Sequence, residues 1–176
     1  MASNPVPKLT AEQYLAIERA AERKSEFVDG EMFAMSGGTN RHARIQRNLI
    51  TELDLALEGG DREPFGSDSR VKVSNRAFVY PDATVVCGGH QAIDGSEVPA
   101  LPQNRFAERI HISKSGTGPH RAVHPPTGWH LDPARLPGSN EELKMNSMGV
   151  AIPLRRIYRQ VSIAQAADSM LRVGAT

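Results

Sequence analysis

Residues 78–89 read FVYPDATVVCGG. Proline removes a backbone donor and pushes the residue before it toward extended geometry, so Tyr80-Pro81 marks a strand entrance. Behind it, Ala83 to Cys87 is an almost continuous apolar run, as expected of a strand covered on both faces. Asp82 is therefore the last polar group before the core.

The pattern upstream of this strand is clear. Thr10 is a good N-cap and Gln13 completes a capping box. With Tyr14, Leu15, Ile17 and Ala21 as an apolar stripe, a helix is expected from about Ala11 to Lys24. In SEFVDGEMFAMSGG (25–38) the Asp29-Gly30 pair between Phe27-Val28 and Met32-Phe33 predicts a tight hairpin. In TNRHARIQRNLITELDLALEGG (39–60) Ile45, Leu49, Leu53 and Leu57 recur at helical spacing, and Gly59-Gly60 supplies a stop. SRVKVS (69–74) alternates like a half-buried strand. The order helix, hairpin, helix, strand, strand suits an α/β sandwich with a mixed sheet.

Downstream the pattern weakens. Residues 90–140 are rich in Pro, His, Gly and Arg without a sustained period, and are expected to be irregular. Order returns at Leu143 and Met145, with Met148 to Ile152 suggesting another strand and a short helix starting near Pro153. This reads as a single domain over residues 1–165 with a C-terminal tail over 166–176, without internal repeats.

A chain of 176 residues with 39% hydrophobic content can bury a real core and lacks the charge excess of a disordered chain. Its 21 basic and 20 acidic residues nearly cancel, so bulk charge neither predicts nor excludes nucleic-acid binding. Cys87 is the single cysteine and can form no internal disulfide. The start, MASNPVPKLT, has no secretion-signal pattern, and no apolar run is long enough to cross a bilayer. A soluble cytoplasmic protein is expected, with no membrane partner.

Several residues could carry chemistry. Asp82 could hold a hard divalent cation, or could simply cap the turn made with Pro81. Glu26, opening the first hairpin strand, is a further metal or water ligand or an ordinary strand-end glutamate. His42, near the start of the long helix, is a substrate contact or a satisfied helix histidine. Arg41, Arg44 and Arg47 could attract phosphates or merely solvate a helix face. Asp68 is an additional site carboxylate or a turn residue. His120 and His124 have helical metal-ligand spacing, but Pro125-Pro126 argues against that helix, and a zinc reading is set aside.

Taken in order, LTAEQYLAIE (9–18), SEFVDGEMFAMSGGTNRHARIQRNL (25–49), GSDSRVKV (66–73), YPDATVVCG (80–88) and MNSMGVAIPLRRIYRQV (145–161) resemble the Uma-two family of putative restriction endonucleases. That family belongs to the PD-(D/E)xK nuclease superfamily. The resemblance implies a restriction-endonuclease-like fold, a mixed sheet flanked by helices, and Mg²⁺-dependent hydrolysis of DNA phosphodiesters. It matches Asp82 to the aspartate of the PD motif, expected to hold Mg²⁺ beside the scissile phosphate. It matches Glu26 to the glutamate of the family's hairpin motif, the next catalytic candidate. His42 matches a histidine at the helix start and, with Arg41 and Arg44, is read as a substrate contact.

Such chemistry calls for a second acidic strand residue and a lysine after Asp82. Glu97, in GSEVPA, is the candidate second catalytic carboxylate and metal ligand, although Pro99 stands where a same-face partner would sit. Lys114 is the nearest later lysine, and RIHISKS (109–115) reads as the remnant of the following strand. After Gly89 the chain departs from the family. The middle segment reads as deleted, degenerate or translated from a shifted frame, costing the sheet its central strand. The alternative to an active endonuclease is a catalytically inactive relic of the nuclease fold that binds DNA or nothing. DNA is the expected partner, with a homodimer as an open option.

Overall fold

The computed structural model describes residues 8–35, 37–88, 91–93, 96–100, 108–112, 129–131 and 140–161. Within 91–93, 96–100, 108–112 and 129–131 only the backbone is described, apart from Ile110 and Leu131.

Helix α1 (Ala11–Ala20) opens on the expected capping box: Gln13 N donates to Thr10 Oγ1 at 3.2 Å, and Thr10 N donates to Gln13 Oε1 at 2.9 Å. It ends at Ala20 rather than Lys24 because Ala21 turns extended, which leaves Arg23 and Lys24 on a loop. Ile17, expected in the apolar stripe, is exposed, while Glu18 is buried. The charge can go inside because its carboxylate is satisfied. Ser25 N donates to both its oxygens at 2.9 and 3.2 Å, and the Tyr80 hydroxyl donates at 2.9 Å.

Strands β1 (Ser25–Val28) and β2 (Glu31–Ala34) form the expected hairpin. Its turn takes positive φ at Asp29 (51°) and Gly30 (90°), the conformation that Asp-Gly tolerates. Helix α2 (Asn40–Leu57) follows, capped by Thr39. Then come β3 (Arg62–Gly66), β4 (Val71–Ser74), β5 (Ala77–Val79) and β6 (Ala83–Cys87). Strands β3 and β5 were not expected: β3 contains Pro64 and does not alternate, and β5 is only three residues long.

The irregularity expected over residues 90–140 is corrected where that segment is described. It contains β7 (Gln91–Ile93), β8 (Ser96–Ala100), β9 (Glu108–Ile112) and β10 (Trp129–Leu131). Strand β9 pairs antiparallel with β6, so the strand carrying on from Asp82 has neighbours on both sides, β3 and β9. These strands are too short to display a period, and β8 finds its partner β4 far back in the chain. Strands β11 (Glu142–Met145) and β12 (Val150–Pro153) and helix α3 (Leu154–Ile157) complete the order, close to the positions expected.

The strands form ladders in the orders β2-β1-β5-β4-β8-β7, β10-β9-β6-β3 and β11-β12. Parallel pairs (β4 with β8, β9 with β10) sit among antiparallel ones, so the expected mixed α/β class holds. The main core lies under α2, whose stripe of Ile45, Leu49, Leu53 and Leu57 packs against Ala83 and Val85 of β6, Ile110, Leu131 and the β11–β12 hairpin. Ile45, Leu49 and Leu53 are fully buried, each worth about 1.5–3 kcal/mol of transfer free energy. A second cluster joins Tyr14 and Leu15 of α1 to Phe27 and Phe78, with the Tyr14 and Phe27 rings stacked at 4.9 Å. The main cluster fixes α2 over β6, and the second fixes β1 beside β5.

Candidate active site

Strand β5 belongs to the six-stranded ladder and β6 to the four-stranded one. Tyr80, Pro81 and Asp82 carry the chain between them. This bridge is held at several points. Tyr80 N donates to Glu26 Oε1 at 3.1 Å, and Pro81 is buried. The Tyr80 hydroxyl donates to the buried Glu18 carboxylate. Burial, then the hydrogen bond to Glu18 and the charge of that carboxylate, push the Tyr80 phenol up to about 12. Burial likewise raises Tyr14, whose hydroxyl donates to Ser25 O at 2.7 Å.

Helix α2 clamps Asp82 from one face. His42 and Gln46 are four residues apart and so point the same way. His42 Nε2 lies 2.8 Å from Asp82 Oδ1, with the two side chains 10% and 14% exposed. Gln46 Nε2 donates to the Asp82 carbonyl at 2.9 Å. His42 is itself fixed by the helix start, its backbone N–H donating to Thr39 Oγ1 at 3.2 Å. Its ring leaves no room beside Gly38, where an added Cβ would fall 2.8 Å from Cδ2.

Asp82, His42 and Gln46 line a cavity of about 490 Å³, together with Arg23, Lys24 and Ser67. The amine of Lys24 pairs with Asp68, donates to Ser67 O at 3.3 Å and stands 5.5 Å from the Tyr80 ring centre. Asp68 is thus an exposed turn residue partnered by Lys24. Arg41 and Arg44 do not line the cavity, and Arg44 donates to Gln160 Oε1 at 3.0 Å.

Among the sequence candidates, Asp82 and His42 are brought into direct contact, and Glu26 reaches the same bridge through Tyr80. Glu97 falls on β8, in the ladder that does not contain β6; its side chain lies outside the described residues, as do Lys114, His120 and His124. Among the described residues no three His, Cys, Asp or Glu side chains gather into a metal-holding group. Sequence reasoning missed Gln46, Tyr80 and Glu18. Gln46 could have been found from its helical spacing to His42, and Tyr80 from its place in YPD. A buried Glu18 left no signal on the polar side of an amphipathic pattern.

The family model described as "Putative restriction endonuclease", Uma2, matches residues 11–107. The chain belongs to the Uma2 family. The match covers more than half the chain, includes Glu26, His42, Asp82 and Glu97, and runs past Gly89, where the resemblance was expected to break off, but does not reach residues 145–161, where it was expected to resume. Two curated proteins of Synechocystis sp. (strain ATCC 27184 / PCC 6803 / Kazusa) are similar in sequence. "Uncharacterized protein slr1290" is 38% identical over 86 residues, 48% of this chain and 45% of that protein. "Uncharacterized protein sll1609" is 32% identical over 109 residues, 61% of this chain and 62% of that protein. The chain thus spans about half to three-fifths of these relatives. Among solved structures, that of "a putative nuclease belonging to DUF820 from Anabaena variabilis ATCC 29413" superposes with a TM-score of 0.64 at 13% identity, covering 85% of this chain and 97% of the other. That likeness establishes a shared mixed α/β fold. Among the described residues no helix is long and apolar enough to cross a membrane.

Proposed function

We propose that this Uma2 protein is a Mg²⁺-dependent endonuclease that hydrolyses phosphodiester bonds of DNA. The observation that carries the reading is Asp82 at the wall of a cavity, its carboxylate held by His42 and its carbonyl by Gln46. Family membership supports the reaction class, and Arg23 and Lys24 in the cavity wall suit an anionic substrate.

The donor chemistry fits a hard cation. Mg²⁺ takes oxygen ligands, keeps several waters and needs only one or two protein carboxylates. Asp82 is assigned as one, with Glu97 or Glu26 as the second. When bound, the ion supplies an activated water and offsets the charge that builds on the phosphate oxygens. The protein's own residues provide preorganisation. His42 fixes the orientation of the Asp82 carboxylate, Gln46 fixes its main chain, and Glu26 and Glu18 hold Tyr80, so the bridge does not have to reorganise during reaction.

Supercoiled plasmid tests this reading. Cleavage in Mg²⁺ should stop with EDTA and return with excess Mg²⁺. The second reading is a catalytically inactive relic of the nuclease fold that binds DNA or nothing. It predicts no metal-dependent cleavage, however much DNA is retained.

A further inference from the structure

The cations expected from sequence to meet the phosphates, Arg41 and Arg44, are not those that line the Asp82 cavity. Arg44 is spent on Gln160. On α2 it sits two residues from His42 and two from Gln46, about 160–200° around the helix from the face that holds Asp82. The cavity wall is supplied instead by Arg23 and Lys24, on the loop that exists because α1 stops at Ala20. We propose that Arg23 and Lys24 form the wall that receives the phosphodiester backbone of DNA at the Asp82 cavity. The inference rests on the endonuclease reading for its substrate, and it names the residues that hold that substrate.

Three observations carry it. First, the lining is cationic on balance: Arg23 and Lys24 face a cavity whose one lining carboxylate, among the described residues, is Asp82. Second, Lys24 is aimed by fixed groups. The Ser67 carbonyl and the Tyr80 ring face hold its amine beside the bridge that presents Asp82. Its ionic partner Asp68 is 95% exposed, so that pair is screened by solvent and a phosphate can displace it. Third, α2 reaches the same cavity through His42 in its first turn, beside Gly37 and Gly38, which precede the helix. Its first turn carries no acid, so the positive end of the helix dipole adds to the two side-chain charges. Glu22 shares the loop but is exposed and lies outside the lining.

Asp68 gives the inference a sign that a loss of folding cannot imitate. If Lys24 meets phosphate, Asp68 competes with the DNA, and its removal tightens binding. Affinity for a duplex oligonucleotide is measured by fluorescence anisotropy in EDTA over a salt series, so that binding is read without cleavage. Arg23→Ala and Lys24→Met should each weaken binding several-fold and lower the slope of log K against log salt by about 0.9. Arg44→Ala should lose less than either, and Asp68→Asn should tighten binding. Unchanged affinity in Arg23→Ala and Lys24→Met, a larger loss in Arg44→Ala, weaker binding by Asp68→Asn, or no DNA binding by the wild-type protein would overturn the inference. DNA binding that depends on these residues without any Mg²⁺-dependent cleavage would sink the endonuclease reading and leave this one standing. Cleavage that is normal in all these variants would do the opposite.

Discussion

The imidazole of His42 is 2.8 Å from the Asp82 carboxylate, and the two side chains are almost wholly withdrawn from solvent. A carboxylate this withdrawn from solvent is stabilised by each donor it meets. Truncation to His42→Ala removes the imidazole from the Asp82 carboxylate, at a cost of about 1–3 kcal/mol. It should also lower plasmid cleavage or Mg²⁺ affinity about 10- to 100-fold. His42→Gln, which keeps an N–H within reach, should recover part of both. Thermal melts and cleavage rates measured on the two variants check this, and equal losses in both would remove the positioning role.

Gly38 offers an independent route to the same pair. An added methyl would meet the His42 ring at 2.8 Å, so Gly38→Ala should push the imidazole away from Asp82 and reproduce the cleavage loss of His42→Ala. Far-ultraviolet circular dichroism should stay unchanged, because Gly38 precedes the helix. Wild-type cleavage by Gly38→Ala would contradict the packing described.

Alkaline pH tests the Tyr80 bridge. Its phenol is raised from 10.0 to about 12 in the folded protein, chiefly by burial. A raised value means the folded state holds the proton more tightly, so this stabilisation is complete below pH 10 and is lost as pH rises toward about 12. Tyr80→Phe has no phenol to ionise and should lose less stability over that alkaline window, while at neutral pH it should be less stable than wild type because the buried Glu18 carboxylate loses its 2.9 Å donor. Denaturant melts across the window decide it, and parallel curves for the two proteins would count against the account.

Core position should separate two leucines of one helix. Leu53 is fully buried in the main core, whereas Leu55 is 63% exposed. Leu53→Ala should cost about 2–5 kcal/mol and Leu55→Ala no more than about 0.5 kcal/mol, as read by urea denaturation.

What was readable from sequence divides along physical lines. The capping box at Thr10, the Asp29-Gly30 turn, the α2 stripe and the apolar run behind Asp82 are local signals, and each is met in the structure, although α1 stops at Ala20 rather than Lys24. Strands β7, β8 and β10 escaped because each is only three to five residues long, and β8 also pairs with β4, far back in the chain; β9 overlaps RIHISKS, the one piece of this segment that reads as a strand. The Asp94-Gly95 dipeptide between β7 and β8 was the one hairpin cue available. Of the site, Asp82 and His42 could be named one by one from sequence. Their contact could not, because it depends on how α2 is set over β6. The buried Glu18 was hidden for a related reason: a charge goes inside only when donors from other elements, here Ser25 and Tyr80, meet it.

The central claim is that Asp82 anchors the chemistry, and Asp82→Asn tests it most directly by keeping the side-chain shape while removing the charge. Plasmid cleavage rates in Mg²⁺ are compared for the wild type and this variant, with melting curves to establish that both are folded. A folded Asp82→Asn protein should cleave at least about a hundredfold more slowly; cleavage at the wild-type rate would contradict the account.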